Sequence, residues 1–212
     1  MKAAMSGFDL RAIAGELDKF SGAYVKKAYM PHYEQIVLRI NPKEMDQFDL
    51  VLVRGERIYT SNRDRPMPMT PPPFAMMLRK HLKNARMTGV RQLGFDRVLV
   101  FDFDTKFGER HLYVEVFRDG NIILADEEGI IIQPLTHASY SGRTLKKGVQ
   151  YQPPPQALDP YEMDLETLNE MFQDSDRDLV STLGGKANLG GTHANAVCEL
   201  AGIKPNIDTK DA

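Results

Sequence analysis

From Glu34 to Gln133 the chain is written largely in twos, and beyond the boundary segment Tyr151-Gln152-Pro153-Pro154-Pro155 this alternation disappears. A side-chain period of two sends one row of a strand to a buried face and the other toward solvent. Most of this stretch is therefore obliged to be sheet. Glu34 to Ile40 puts Ile36, Leu38 and Ile40 on one face, with Gln35, Val37 and Arg39 on the other. Phe48 to Val53, the turn Arg54-Gly55-Glu56 and Arg57 to Thr60 read as a hairpin. A second block runs from about Gly89 to Ile132. In it Arg97 to Phe103 and His111 to Phe117 alternate, Asp119-Gly120 and Glu128-Gly129 mark tight turns, and Asn121 to Ala125 and Gly129 to Gln133 supply short strands.

Helical periods flank and interrupt this pattern. Over Phe8 to Phe20, Leu10, Ile13, Ala14, Leu17 and Ser21 fall on one stripe, and Ser6 with Asp9 has the spacing of a capping box. After Pro71-Pro72-Pro73 the spacing predicts a helix over Phe74 to Ala85, its last proline fitting the first turn. Beyond Pro155, helices are expected at about Leu165 to Phe172, Asp176 to Leu183 and Thr192 to Ala201. The expected fold class is α+β. A β-sandwich or barrel-like domain with flanking helices would occupy residues 1–155, and a small all-helical domain with a helix-hairpin-helix motif residues 156–212, incomplete at its C-terminus.

Composition excludes several classes. An apolar share of 42% and a charged share of 26% are globular values. A single cysteine, Cys198, permits no intrachain disulfide, and five scattered histidines show no metal-ligand spacing, so no metal or cofactor is expected. Neither a membrane-length apolar run nor a signal-peptide pattern is present, which points to the cytoplasm. The net charge of −2 hides a segregation. Met76 to Val98 holds six bases and one acid, Asp159 to Leu179 eight acids and one base. A polyanion would be steered to one face of such a molecule.

Three constellations stand out. Arg79, Lys83 and Arg86 fall at i, i+4 and i+7 of the expected second helix, a stripe that either contacts phosphates or is simply a solvated face. In the loop from Gly184 to Gly191, Leu189-Gly190 followed by Ala194 and Val197 fits half of a helix-hairpin-helix motif, where backbone N–H groups at a helix start meet a phosphate. Asn188 stands where that motif prefers glycine and tolerates a positive φ; an ordinary helix–loop–helix connection fits the spacing as well. Gly94-Phe95-Asp96-Arg97 reads as a turn into an apolar strand. No nucleophile–base order or phosphate-loop glycine pattern occurs, so the residues favour a binding protein over an enzyme.

Longer segments carry a resemblance. Phe74-Ala75-Met76-Met77-Leu78-Arg79-Lys80-His81-Leu82, then Gln92-Leu93-Gly94-Phe95-Asp96-Arg97, then Glu115-Val116-Phe117-Arg118-Asp119-Gly120-Asn121-Ile122-Ile123-Leu124 resemble the N-terminal domain of the NFACT family. Arg143 to Gly148, Tyr151 with its prolines, and Asn188-Leu189-Gly190-Gly191 with Ala201-Gly202-Ile203 follow in the family's order, most like its archaeal and eukaryotic branch. The resemblance implies a ribosome-associated quality-control factor without catalysis of its own. It would bind the large ribosomal subunit holding a stalled peptidyl-tRNA and recruit tRNA, so that C-terminal tails are added without a message. By motif, the family's functional residues fall on Asp9, Asp96 and Arg97. The family continues into a coiled coil and a C-terminal domain, so an N-terminal fragment is expected.

The resemblance extends in fold to formamidopyrimidine-type DNA glycosylases. Their N-terminal proline nucleophile would fall where Lys2 and Ala3 stand, and their zinc finger has no counterpart, so DNA is not an expected partner. The family's older label as a fibronectin-binding surface protein would require export, for which no signal is read.

Overall fold

The computed structural model describes residues 5–140, 142–155 and 158–211. Contacts gather the residues up to Leu93 and Arg97–Pro154 into one compact unit, and Gly94–Asp96 with Pro155–Ala212 into a second.

The first unit opens with α1 (Gly7–Asp18), started by the Ser6–Asp9 capping box and burying Leu10, Ala14 and Leu17. Nine strands follow: β1 (Tyr24–His32), β2 (Gln35–Asn41), β3 (Phe48–Val53), β4 (Arg57–Ser61), β5 (Arg86–Gln92), β6 (Val98–Thr105), β7 (Gly108–Glu115), β8 (Ile122–Asp126) and β9 (Ile131–Pro134). They form one antiparallel sheet in the order β4-β3-β2-β1-β5-β6-β7-β8-β9. The helix α2 (Pro73–Leu82) lies between β4 and β5 in the chain, and a small ribbon pairs β10 (Ala138–Tyr140) with β11 (Arg143–Leu145).

The α+β class holds, but the sandwich or barrel takes a different form. The strands make a single sheet rather than two, and among the described residues β4 and β9 do not pair to close it. The sheet instead folds back on itself near the β1–β5 junction, where the ladder pair Tyr24 and Arg86 is flanked by backbone hydrogen bonds from the Val25 N–H to the Ala85 carbonyl at 2.9 Å and from the Met87 N–H to the Ala23 carbonyl at 2.8 Å. In a flat sheet β3 and β7 would stand about 24 Å apart at ~4.8 Å per strand. Here the turn after β3 reaches the end of β7, with the Gly55 N–H donating to the Glu115 carbonyl at 3.2 Å. One core results, uniting Ile36, Leu38, Leu50 and Leu52 with Phe101, Phe103, Leu112 and Leu124.

In the second unit α3 (Leu165–Gln173) and α4 (Leu179–Gly185) begin at Asp164 and Asp178, whose carboxylates accept the Thr167 and Ser181 N–H groups. Those hydrogen bonds hold both carboxyls below the usual aspartate range. Two acids of the acidic run are thus helix caps. The helix α5 (Gly190–Ala201) ends at Gly202 in the left-handed conformation, and a 3-10 turn, Thr209–Asp211, follows. Leu179, Leu183, Ala187, Ala194 and Cys198 are buried in this unit. Among the described residues no helix is long and apolar enough to cross a membrane.

Candidate nucleic-acid interface

Arg97 enters β6 from a turn whose backbone is held on both sides. The Leu93 N–H donates to the Val98 carbonyl at 3.0 Å, and the Val116 N–H donates to the Arg97 carbonyl at 2.7 Å. Gly94 supplies the left-handed residue of the turn, with φ of 59°. The Arg97 side chain is exposed, and its guanidinium has no hydrogen-bond or ion-pair partner among the described residues. Asp96 is half-buried and is grouped with the second unit, whereas Arg97 belongs to the first.

Asp9 is engaged at the start of α1. Its Oδ2 accepts the Ser6 N–H at 2.6 Å and the Ser6 hydroxyl at 2.7 Å, and its own N–H donates to Ser6 Oγ at 3.2 Å. Gln92 clamps this first turn to the end of β5. Its amide donates to the Gly7 carbonyl at 3.0 Å and accepts from Arg11 Nε at 2.7 Å. The start of α1, with Asp9, and the end of β5 therefore lie at one end of the first unit.

The basic stripe does not exist as a helical face. The helix α2 stops at Leu82 because Lys83 is extended, with ψ of 123°, and Asn84 is left-handed, with φ of 60°. Arg86 belongs to β5 and pairs with Asp104 at 3.3 Å. Lys83 is exposed at the helix end. Arg79 points elsewhere: its Nε donates to the Ala28 carbonyl at 2.7 Å, and its guanidinium lies 5.3 Å from the Tyr29 ring centroid. Lys27 and Arg39 approach the same ring. Sequence reasoning passed over these residues because strands and helix meet there only in three dimensions; the aromatic Tyr29 just after Lys26-Lys27 was the available signal.

In the second unit Asn188 has φ of 58° and Gly190 φ of 73°, so the loop before α5 turns through the left-handed region as its residue types allow. The Asn188 amide is spent inside the unit, donating to the Leu158 carbonyl at 3.3 Å and the Phe95 carbonyl at 3.5 Å. It also contributes its left-handed backbone to the turn that leads into α5. Gly190 and Gly191 open α5, where no side chain caps the helix start. The motif's apolar stripe is rotated by one residue: Ala194 and Cys198 are buried, whereas Val197 is 41% exposed. Lys186 donates to the Asp174 carbonyl at 2.6 Å and is a structural strut. Among the described residues no three of His, Cys, Asp and Glu are gathered as a metal ion would require.

Comparison with known proteins matches these features to one family. Residues 6–212 match the family model described as NFACT N-terminal and middle domains. The chain is 34% identical over 214 residues to the archaeal Rqc2 homolog aRqcH of Methanocaldococcus jannaschii, covering 96% of this chain and 32% of that protein. It is 34% identical over 155 residues to the human ribosome quality control complex subunit NEMF, covering 73% of this chain and 14% of that one. The chain thus spans about a third or less of the length of these relatives. Among solved structures, the N-terminal part of the fibronectin/fibrinogen-binding protein of Streptococcus suis superposes with a TM-score of 0.81 at 27% identity, covering 98% of this chain and 84% of that one. With nearly its whole length matched, the chain belongs to the NFACT family, in its N-terminal and middle domains.

Proposed function

We propose that this chain is a cytoplasmic RNA-binding module of ribosome-associated quality control. It binds tRNA and the large ribosomal subunit that retains a stalled peptidyl-tRNA, and it supports template-independent tailing of the nascent chain without a catalytic centre of its own. Relatives named as ribosome quality control subunits support the ribosomal role. The observation that carries the RNA contact is Arg97, whose backbone is pinned while its guanidinium is left without a partner among the described residues. A planar fork so presented suits a phosphate or a base edge, and an adjacent carboxylate such as Asp96 can accept from an exocyclic amine. Asp9 at the same end of the first unit, and the N–H groups of Gly190 and Gly191, are further contacts in this reading.

The test is Asp96→Ala with Arg97→Ala. Arg97 is exposed, and an exposed charge adds only about 0–1 kcal/mol to stability, so Arg97→Ala alone should hardly move the thermal midpoint, and it is measured beside the double variant because that one also removes the half-buried Asp96. tRNA binding should weaken by on the order of tenfold or more, the worth of a charged hydrogen bond. A variant that unfolds, or one that folds and binds tRNA as before, removes the pair from the interface.

A further inference from the structure

Arg79 leads to a site that no motif announces. Three cations surround one half-buried ring on the first unit: Lys27 Nζ at 5.3 Å, Arg39 at 5.4 Å and Arg79 at 5.3 Å from the centroid of Tyr29. They come from β1, β2 and α2, and Lys27 stands directly opposite Arg39 in the β1–β2 register. Like charges brought this close repel one another, and a single ring offsets only part of that.

The three cations are held in different ways. Arg39 is neutralised, forming a two-pronged pair with Asp49 at 2.9 and 3.2 Å, a carboxylate only 4% exposed. Asp64 adds a weaker attraction on Arg39. Arg79 is anchored by Nε alone to the Ala28 carbonyl, and its two terminal nitrogens have no partner among the described residues. Lys27 is exposed and likewise unpaired among the described residues. One guanidinium is thus fixed by its inner nitrogen with its outer fork free, and a free ammonium approaches the same aromatic ring. A tetrahedral oxyanion suits such donors: a guanidinium fork takes two oxygens, and an ammonium on a flexible stem can reach another.

We infer that Lys27, Tyr29 and Arg79, braced by the Arg39–Asp49 pair, form a phosphate-binding cluster that holds the backbone of a bound RNA. The assignment rests on the RNA-binding reading above for its ligand but on different residues from the Asp96–Arg97 pair. Arg39 belongs to the brace, because removing it would leave Asp49 buried and unpaired.

The probe is a fluorescein-labelled hairpin RNA with a single-stranded tail, titrated against the chain by anisotropy at several salt concentrations. Lys27→Gln with Arg79→Gln is compared with Lys146→Gln and Lys147→Gln, an exposed pair giving the same change in net charge. The cluster variant should bind about tenfold more weakly. Its plot of log affinity against log salt should lose roughly 0.7–0.9 of slope per phosphate contact. Lys27→Gln alone, which touches no structural hydrogen bond, should show a smaller shift in the same direction and serves if the double variant is poorly folded. A cluster variant that behaves like the control pair overturns the site and leaves the RNA reading standing. A wild-type chain that binds no RNA overturns both. Displacement of the RNA by polyglutamate as readily as by unlabelled RNA of equal charge shows a surface selective for charge rather than phosphate, and also overturns the site.

Discussion

Glu115 is fully buried, and a carboxylate out of water costs several kcal/mol unless donors surround it. Three do. Arg143 contributes two nitrogens at 2.6 and 3.1 Å, and the Tyr151 hydroxyl donates at 3.1 Å. Tyr151 in turn stacks on Tyr113 with centroids 3.8 Å apart, while the Arg143 guanidinium lies 4.8 Å from the Tyr140 ring centroid. Burial pushes the Tyr151 hydroxyl far above its ordinary range, and the charge of Glu115 adds to this; burial raises Tyr113 and Tyr140 in the same direction. A raised folded-state value means that stability is fully present below the unfolded tyrosine value of 10.0 and is lost as pH rises above it, because the unfolded chain then releases a proton that the folded chain keeps. Stability should therefore fall above about pH 10, by up to ~1.4 kcal/mol per pH unit from Tyr151. Tyr151→Phe should start lower, having lost a hydrogen bond to a charge, yet fall less steeply. Urea unfolding between neutral and alkaline pH reads both quantities, and parallel slopes in the two proteins would show that Tyr151 is not the group responsible.

At the scale of elements, two glycines should respond in opposite ways. A Cβ on Gly120, in the turn between β7 and β8, would run into the carbonyl oxygens of Glu115 and Phe117. At Gly15, inside α1, it would meet nothing within 4 Å. Gly120→Ala is expected to cost about 1–3 kcal/mol through forced backbone movement, and Gly15→Ala to gain roughly 0.5–1 kcal/mol through helix propensity; urea midpoints that move together would refute the steric account. The turns at Gly120 and Gly129, the hairpin of β3 and β4, and the four strands from β6 to β9 were legible because alternation and turn residues act locally. The strand β1 was not, since two register shifts and Pro31 break its period although it pairs with β2 along most of its length. The end of α2 was misplaced because an apolar stripe continues to Ala85 whereas the left-handed Asn84 ends the helix before it. Of the candidate site, the Ser6–Asp9 cap could be read from spacing alone. The placement of Arg79 over Tyr29 could not, because it depends on how α2 meets β1.

Across the whole molecule, the informative segment is the tripeptide Gly94–Asp96, which follows β5 and precedes β6 in the chain but is grouped with the second unit. Phe95 is 2% exposed, its ring meets Tyr161 edge-on with centroids 5.8 Å apart, and its carbonyl receives the Asn188 amide at 3.5 Å. The same asparagine holds the left-handed turn before α5, so one buried ring helps to support the hairpin of α4 and α5 as well as the start of the Asp96–Arg97 pair. Truncating a buried phenylalanine costs on the order of 3–5 kcal/mol. A chain of two units need not share that loss evenly, since each can open on its own. Phe95→Ala should therefore lower hydrogen-exchange protection in α4 and α5 well before it lowers protection in β2 and β3, and it should weaken tRNA binding although no charge has been removed. Equal loss of protection in β3 and α5 would make the chain one cooperative block, and unchanged tRNA binding would separate the Asp-Arg pair from the ring beside it.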